Sequence, residues 1–327
     1  MLAKIFRVSL VAVTAAALVG ALVLVLTVVR NGTTSVREDT AAVGNGTAPA
    51  TRPRTDPGPA TTAATGGTPG GQRPGTVGPS TPTRSGDISR PMGTDRPGTT
   101  RPGTRPPVVA HGPRTGNLVA LTFDADMTDA MLGNLRAGRA RSYANLRVVD
   151  LLERERVPAT FFLTGKWVER YPELTRRLAG NPRFELANHT YGHLAFTRDC
   201  YGLPRLPAAR MTEDVDRTFR LIEPYGGRQT RYFRFPGLCH DPAALAALAP
   251  LGLTVVDGDV VSGDPFATAW RPIVRAVLSK VRPGSIVVLH VTEENAAMTD
   301  EALPHILAGL RDRGLRPAPL SEVLADG

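Results

Sequence analysis

Cysteine is almost missing from this chain of 327 residues: there are two, Cys200 and Cys239, and no Cys-x-x-Cys pair. A cysteine-built zinc site is therefore not expected. Acidic residues are missing from residues 1–30, and large apolar side chains are nearly missing from residues 31–115. A segment of the second kind buries too little surface to offset the entropy of ordering it. Basic excess is missing from residues 116–327: of the formal net charge of +9, +3 falls on residues 1–30 and +5 on residues 31–115, leaving +1 for the rest. A nucleic-acid partner needs a basic folded face, and this distribution argues against one.

What is present falls into three parts. Residues 8–29 are apolar apart from Ser9, Thr14, Gly20 and Thr27, a run about long enough to cross a bilayer as a helix. Ala15, Ala16 and Ala17 sit in mid-run and the apolar residues continue well past them, so no small-residue cleavage site closes the core of the run. This favours a retained single-pass membrane anchor over a cleaved signal that would leave a secreted protein. Lys4 and Arg7 precede the span and favour a cytoplasmic N-terminus, an asymmetry that Arg30 and Arg37 weaken; the remainder is then extracytoplasmic, at the cell membrane. Residues 31–115 are dominated by Pro, Gly, Thr and Arg and are predicted to be a disordered linker with polyproline II stretches. As a flexible coil, roughly 85 residues span on the order of 50 Å. The segment reads as a tether, with a basic arm for anionic wall polymers or lipid surfaces as the alternative.

From residue 116 the composition is globular and strand-like runs alternate with helical ones. Strands are predicted over residues 117–123, 159–163, 184–188, 232–235, 253–257 and 285–290, and helices over 146–155, 166–178, 208–222, 242–248, 268–281 and 299–313. Alternation of this kind implies parallel strands joined by crossover helices, and residues 116–327 suit one compact α/β barrel-like domain, expected to be a monomer. In such folds the functional groups gather at the C-terminal ends of the strands.

Two runs carry chemistry at those ends. The apolar strand through Leu121, Thr122 and Phe123 ends in Asp124-Ala125-Asp126, and a buried strand seldom ends in two acids unless its tip opens on solvent or a metal. A turn at Asp124 and a cap at Asp126 would account for the same residues. His189-Thr190-Tyr191-Gly192-His193, directly after residues 184–188, shifts the balance: two imidazoles four apart fall on one face of a helical turn and can grip one ion. Two histidines and one carboxylate leave room for water, the arrangement of a catalytic metal and not of a closed structural one. Residues 127–145 follow this strand directly, and either rim the groove or form a solvated loop with an aliphatic anchor.

Five motifs taken in order, Thr122–Asp126, His189–His193, Arg234-Phe235-Pro236, Asp259–Asp264 and Leu289-His290, resemble those of polysaccharide deacetylases, the NodB-homology carbohydrate esterases, over nearly all of residues 116–327. The resemblance implies a distorted (β/α) barrel, here of about seven strands, with one divalent ion, usually zinc and otherwise cobalt or nickel, that removes N- or O-acetyl groups from sugars. It implies His189 and His193 as metal ligands, Asp124 as general base, His290 as general acid and Arg234 as the residue that orients the base. The family has two adjacent acids, the first the base and the second a ligand. Here Ala125 separates them, and strand alternation keeps Asp126 on the face of Asp124, so Asp126 is expected to be the third ligand. Gly237 stands where the family has a tyrosine wall, Val261 stands where an acid normally partners the catalytic histidine, and Pro265 replaces a tryptophan. Asp259 is expected to substitute as that partner, with Asp264 matching the motif's second acid.

Outside a cell the two cysteines are expected to pair, and closing a loop of about 40 residues contributes on the order of 4 kcal/mol in the chain-entropy model. His240 either lines the groove or lies on the surface. The whole reads as a membrane-tethered, metal-dependent deacetylase of an acetylated amino-sugar polymer, cell-wall peptidoglycan being the substrate that a long tether would bring within reach. A small-molecule amide hydrolase of the same fold, or a wall-binding module with an inactive site, are the alternatives.

Overall fold

The computed structural model describes residues 96–325. The expected membrane span and most of the expected linker lie outside the described residues. Among the described residues no helix is long and apolar enough to cross a membrane.

At the centre is β2 (Leu118–Ala125), whose run of apolar and β-branched residues is buried over nearly its whole length. Burial on both faces is what a parallel strand covered by helices requires. It pairs in parallel with β3 (Ala159–Leu163) and, nearer its N-terminal end, with the short β9 (Arg316–Ala318) on one side, and with β8 (Ile286–His290) on the other. From β3 the sheet continues through β4 (Phe184–Asn188), β5 (Arg228–Phe233) and β6 (Thr254–Val256) to β1 (Val108–Val109), and beyond β8 it ends in β7 (Val260–Val261). Among the described residues every pairing between these strands is parallel, and β1 and β7 lie at the two ends of the strand order, so the sheet is a curled half-barrel.

Among the described residues the sheet has nine strands, the six located along the chain and three more, in keeping with a distorted barrel. The additional ones, β1, β7 and β9, are two or three residues long, too short for a periodic pattern. The helices, in chain order, are α1 (Asp129–Arg136), α2 (Leu146–Arg154), α3 (Gly165–Arg170), α4 (Pro172–Gly180), α5 (Met211–Ile222), α6 (Pro242–Leu248), α7 (Trp270–Leu278), α8 (Thr299–Asp312) and α9 (Leu320–Ala325). The helix predicted over residues 166–178 is two, because Pro172 has no N–H with which to continue α3 and opens α4 instead. Residues 127–145 are not a solvated loop. They contain α1, capped by the Thr128 hydroxyl accepting from Met131 N–H at 3.1 Å, and bury Met127, Met131, Tyr143 and Ala144 in the main core.

Strand alternation sorts the side chains. Phe161 points outward to the helices beside Phe123 and Phe184, while Phe162 points into the barrel with Ala120, Ile286, Leu320 and Val323. β9 and α9 thus contribute to the apolar packing inside the sheet.

The boundary expected at residue 115 is displaced. Residues 96–115 belong to the fold: Thr100 N–H donates to Gly252 O at 3.0 Å, Gly103 N–H to Ala249 O at 2.8 Å and Gly112 N–H to Gly284 O at 2.8 Å, and β1 extends the sheet. Main-chain hydrogen bonds hold this Pro- and Gly-rich stretch, and those leave no trace in hydrophobic patterning.

Candidate active site

The register of the sheet brings the site together. Asp124 lies opposite His290 across β2 and β8, and Leu163 opposite Asn188 across β3 and β4, so the strand tips that carry Asp124, His189 and His290 end on one rim. Ala125 turns outward into the helix-covered core, and the alternation leaves Asp124 and Asp126 on the same side, as expected from the strand pattern.

His189 is fixed by two contacts. Its N–H donates to Leu163 O at 2.9 Å, and its Nδ1 lies 2.9 Å from Arg234 O. A carbonyl only accepts, so Nδ1 carries a proton and Nε2 is turned to Asp126. The spacing of four to His193 does not come from a helical turn. Thr190 and His193 sit at φ 70° and 57°, a left-handed conformation that costs a non-glycine residue about 1–3 kcal/mol. Side chains hold that turn: Thr190 N–H donates to Asn188 Oδ1 at 2.9 Å, His193 N–H to Thr190 Oγ1 at 3.0 Å, and Tyr191 N–H to Asp214 Oδ1 at 2.7 Å.

Asp126 Oδ1 lies 3.4 Å from both His189 Nε2 and His193 Nε2. It is buried and has no hydrogen-bond partner among the described residues, a costly state for a carboxylate oxygen unless something else completes it. The three ligand atoms lie within 4.8 Å of one another, and two neutral imidazoles with one carboxylate are a donor set for a borderline divalent ion such as zinc. The residues present therefore fit a metal. Burial alone would raise the Asp126 carboxyl, but the imidazoles of His193, His189 and His290 outweigh it and hold the group well below the usual carboxylate range. Burial drives the His193 imidazole down to about 4 against the pull of Asp126, so it stands neutral with a lone pair to offer.

Two further pairs flank this trio. Arg234 is completely buried; its Nη1 donates to Asp124 Oδ1 at 2.6 Å, its Nε donates to Val256 O at 3.1 Å, and its guanidinium lies 4.0 Å from the Phe162 ring centre. Asp124 Oδ2 is 3.8 Å from His189 Nε2. On the other flank His290 Nδ1 lies 2.8 Å from Asp264 Oδ1, and His290 N–H donates to Asp264 Oδ2 at 2.8 Å. Ser262 Oγ and Thr299 Oγ1 each donate to Asp264 at 2.7 Å. Burial opposes a charge on His290, yet the charge and hydrogen bond of Asp264, with Asp126 and Asp124 behind it, bring the imidazole up to about 10. Its Nε2 lies 3.8 Å from Asp126 Oδ2.

A model of the family described as polysaccharide deacetylase matches residues 111–256. A chitooligosaccharide deacetylase of Sinorhizobium fredii is 33% identical over 177 residues, 51% of this chain and 79% of the relative. The chain belongs to the polysaccharide deacetylase family. A family 4 acetyl xylan esterase from Clostridium thermocellum, solved with a cobalt ion, aligns with a TM-score of 0.50 and 27% identity, over 64% of this chain and 90% of that one. A carbohydrate esterase family 4 pseudoenzyme from Bacillus anthracis aligns with a TM-score of 0.53 and 22% identity, over 67% of this chain and 69% of that one, a likeness of fold alone. The deacetylase-family match ends before Asp264 and His290, so the second flank of the site stands on its geometry.

Of the expected site residues, Asp124, Asp126, His189, His193, Arg234 and His290 converge. Asp259 does not. It accepts from Arg114 Nη2 at 2.7 Å, Ser285 Oγ at 3.0 Å and Ile286 N–H at 2.8 Å, at the start of β8 and thus at the opposite end of the strand from His290. The reason is register: β7 runs parallel to β8 with Val260 opposite Val287, so Asp259 precedes the strand and Asp264 follows it. Asp264 takes the place beside His290 that was expected of Asp259, and the parallel-strand rule, applied to residues 260–261, would have identified it. Thr292, which accepts from Asp126 N–H at 3.1 Å, and Thr299 carry no signal in the sequence. Cys200 and Cys239 are disulfide-bonded, and His240 Nε2 lies 3.0 Å from Asp257 Oδ2, half-buried at the end of β6.

Proposed function

We propose that the protein is a metal-dependent deacetylase of an acetylated amino-sugar polymer, cell-wall peptidoglycan, held at the outer face of the cytoplasmic membrane by the apolar run of residues 8–29 and a Pro- and Gly-rich tether. The observation that carries the reading is the unpartnered buried Oδ1 of Asp126 between the Nε2 atoms of His189 and His193, flanked by Asp124 with Arg234 on one side and His290 with Asp264 on the other. Peptidoglycan is supported by the reach of the tether through a wall.

A divalent ion, zinc above all, held by Asp126, His189 and His193 would polarise an acetyl carbonyl and make water a better nucleophile. Asp124 is the general base for that water, its carboxylate steered by Arg234. His290, protonated and fixed through Nδ1 by Asp264, turns Nε2 toward Asp126 and gives its proton to the departing sugar amine. Thr299 and Ser262 hold Asp264, so the acid does not swing as it discharges.

The test is mass spectrometry of wall muropeptides before and after treatment with the purified, zinc-loaded protein. Loss of acetyl mass from glucosamine-type residues is expected, and unchanged muropeptides would reject the substrate. Asp124→Asn and His290→Ala should each lower kcat by about 10²–10⁴ while zinc content holds. Undiminished turnover in either would remove the assigned role. A second reading, an inactive wall-binding module, is favoured by the Ala125 insertion between the two acids; zinc bound with no acetate released from any glycan would select it.

A further inference from the structure

Two aromatic rings stand out in water on the same side of the molecule as the site. Tyr201 and Phe266 are each 76% exposed, well beyond any other exposed large apolar side chain among the described residues, and their ring centres are 6.1 Å apart. They come from loops 65 residues apart in sequence, so their meeting is a product of the fold. Isolated exposed aromatics need no explanation, but two that converge beside the site residues form a surface.

Each ring is carried by a loop that also holds a site residue. Phe266 closes the short turn Asp264–Phe266, whose first residue grips His290, and its N–H donates to Gly263 O at 3.1 Å. Tyr201 sits at the tip of a tight turn closed by Leu203 N–H donating to Cys200 O at 2.9 Å, with Tyr201 at φ 50° and Gly202 at φ 73°. The disulfide from Cys200 to Cys239 ties that turn to the loop that follows Arg234.

Gly237 completes the arrangement. Its φ of 61° favours glycine, and a Cβ built on it would lie 2.9 Å from Tyr201 Cδ2 and 2.7 Å from Cys200 Sγ. The ring of Tyr201 therefore lies over the main chain at the position where a side chain on residue 237 would otherwise project. An aromatic ring delivered from one loop occupies the space that glycine leaves open on another.

The geometry points to Tyr201 and Phe266 as a sugar-stacking platform at the rim of the groove, which carries a pyranose flanking the one that is deacetylated. The apolar C–H face of a pyranose matches an exposed ring, and a polymer offers such faces beyond the reacting residue. This inference rests on the deacetylase reading for the identity of the occupant. The disulfide acts as a positioning element, since it holds the Tyr201 turn against the Arg234 loop.

The test uses the full zinc-loaded chain and its Tyr201→Ala/Phe266→Ala variant. Acetate release is measured on N-acetylglucosamine and its tetramer, and calorimetric binding on the fully deacetylated tetramer, which does not turn over. The double variant is expected to raise KM for the tetramer and weaken calorimetric binding about tenfold, with kcat on the tetramer and kcat/KM on the monomer unchanged. Tyr201→Trp should restore both. Wild-type tetramer affinity in the double variant overturns the platform, as does equal loss on monomer and tetramer. A wild type that binds the tetramer but releases no acetate, with binding lost in the double variant, would reject the deacetylase reading and leave the platform standing.

Discussion

Two buried carboxylates sit at opposite ends of the same sheet, and they are treated differently. Glu185, at the N-terminal ends of the strands, is saturated: Thr160 Oγ1 donates to it at 3.0 Å, Ser321 N–H at 3.2 Å and Arg228 Nη2 at 3.1 Å, and Ser321 Oγ donates as well. Asp126, at the C-terminal ends, leaves Oδ1 with no partner among the described residues and three imidazoles around it. A buried charge whose every acceptor site is filled from within the chain is part of the scaffold. One left open is poised for something from outside. The same contrast separates Asp259, tied to Arg114, Ser285 and Ile286 at the base of β8, from Asp264, which serves His290 at its tip.

The comparison is most exposed at Asp126. Asp126→Ala is expected to abolish stoichiometric zinc binding, read by elemental analysis after gel filtration, and to lower kcat/KM for acetate release by about 10³ or more. Retained zinc at wild-type affinity would mean the open oxygen is not a ligand.

A smaller effect sharpens the Asp264 and Asp259 pair. Asp264 raises the proton affinity of His290, and the acid works only while protonated, so activity is lost as pH rises through the His290 value. Asp264→Asn removes that raising charge. The alkaline limb of kcat/KM should then move to lower pH, with about a tenfold to hundredfold fall in kcat. Asp259→Asn should leave the limb where it is, and a matching displacement there would break the distinction.

The smallest effect on turnover is expected at the base of the sheet. Glu185→Gln should cost about 1–2 kcal/mol of stability, seen as a lower midpoint in urea, while kcat of the folded protein stays within about twofold. A loss of zinc in that variant would show that the two ends of the barrel are not independent.

Much of this arrangement was legible along the chain. The strands that carry Asp124, His189 and His290 were each located to within a couple of residues, because parallel strands covered on both faces are continuous apolar runs. What escaped was of two kinds. Strands of two or three residues have no period, so β7 was missed and with it the register that separates Asp259 from Asp264. Main-chain hydrogen bonds have no composition, so residues 96–115 were assigned to the linker although they are stitched to the loop around Gly252 and to Gly284.

The amino-acid sequence alone determined the family, the parallel α/β plan and the residue types at the strand tips, since local burial and chemistry write themselves into the order of residues. Tertiary structure alone decided which acid meets His290, how His193 turns back on His189, and that Tyr201 lies over Gly237. Each of those depends on register and on contacts between segments far apart in the chain, and distance in space between such segments is settled only when the sheet curls and brings its tips together.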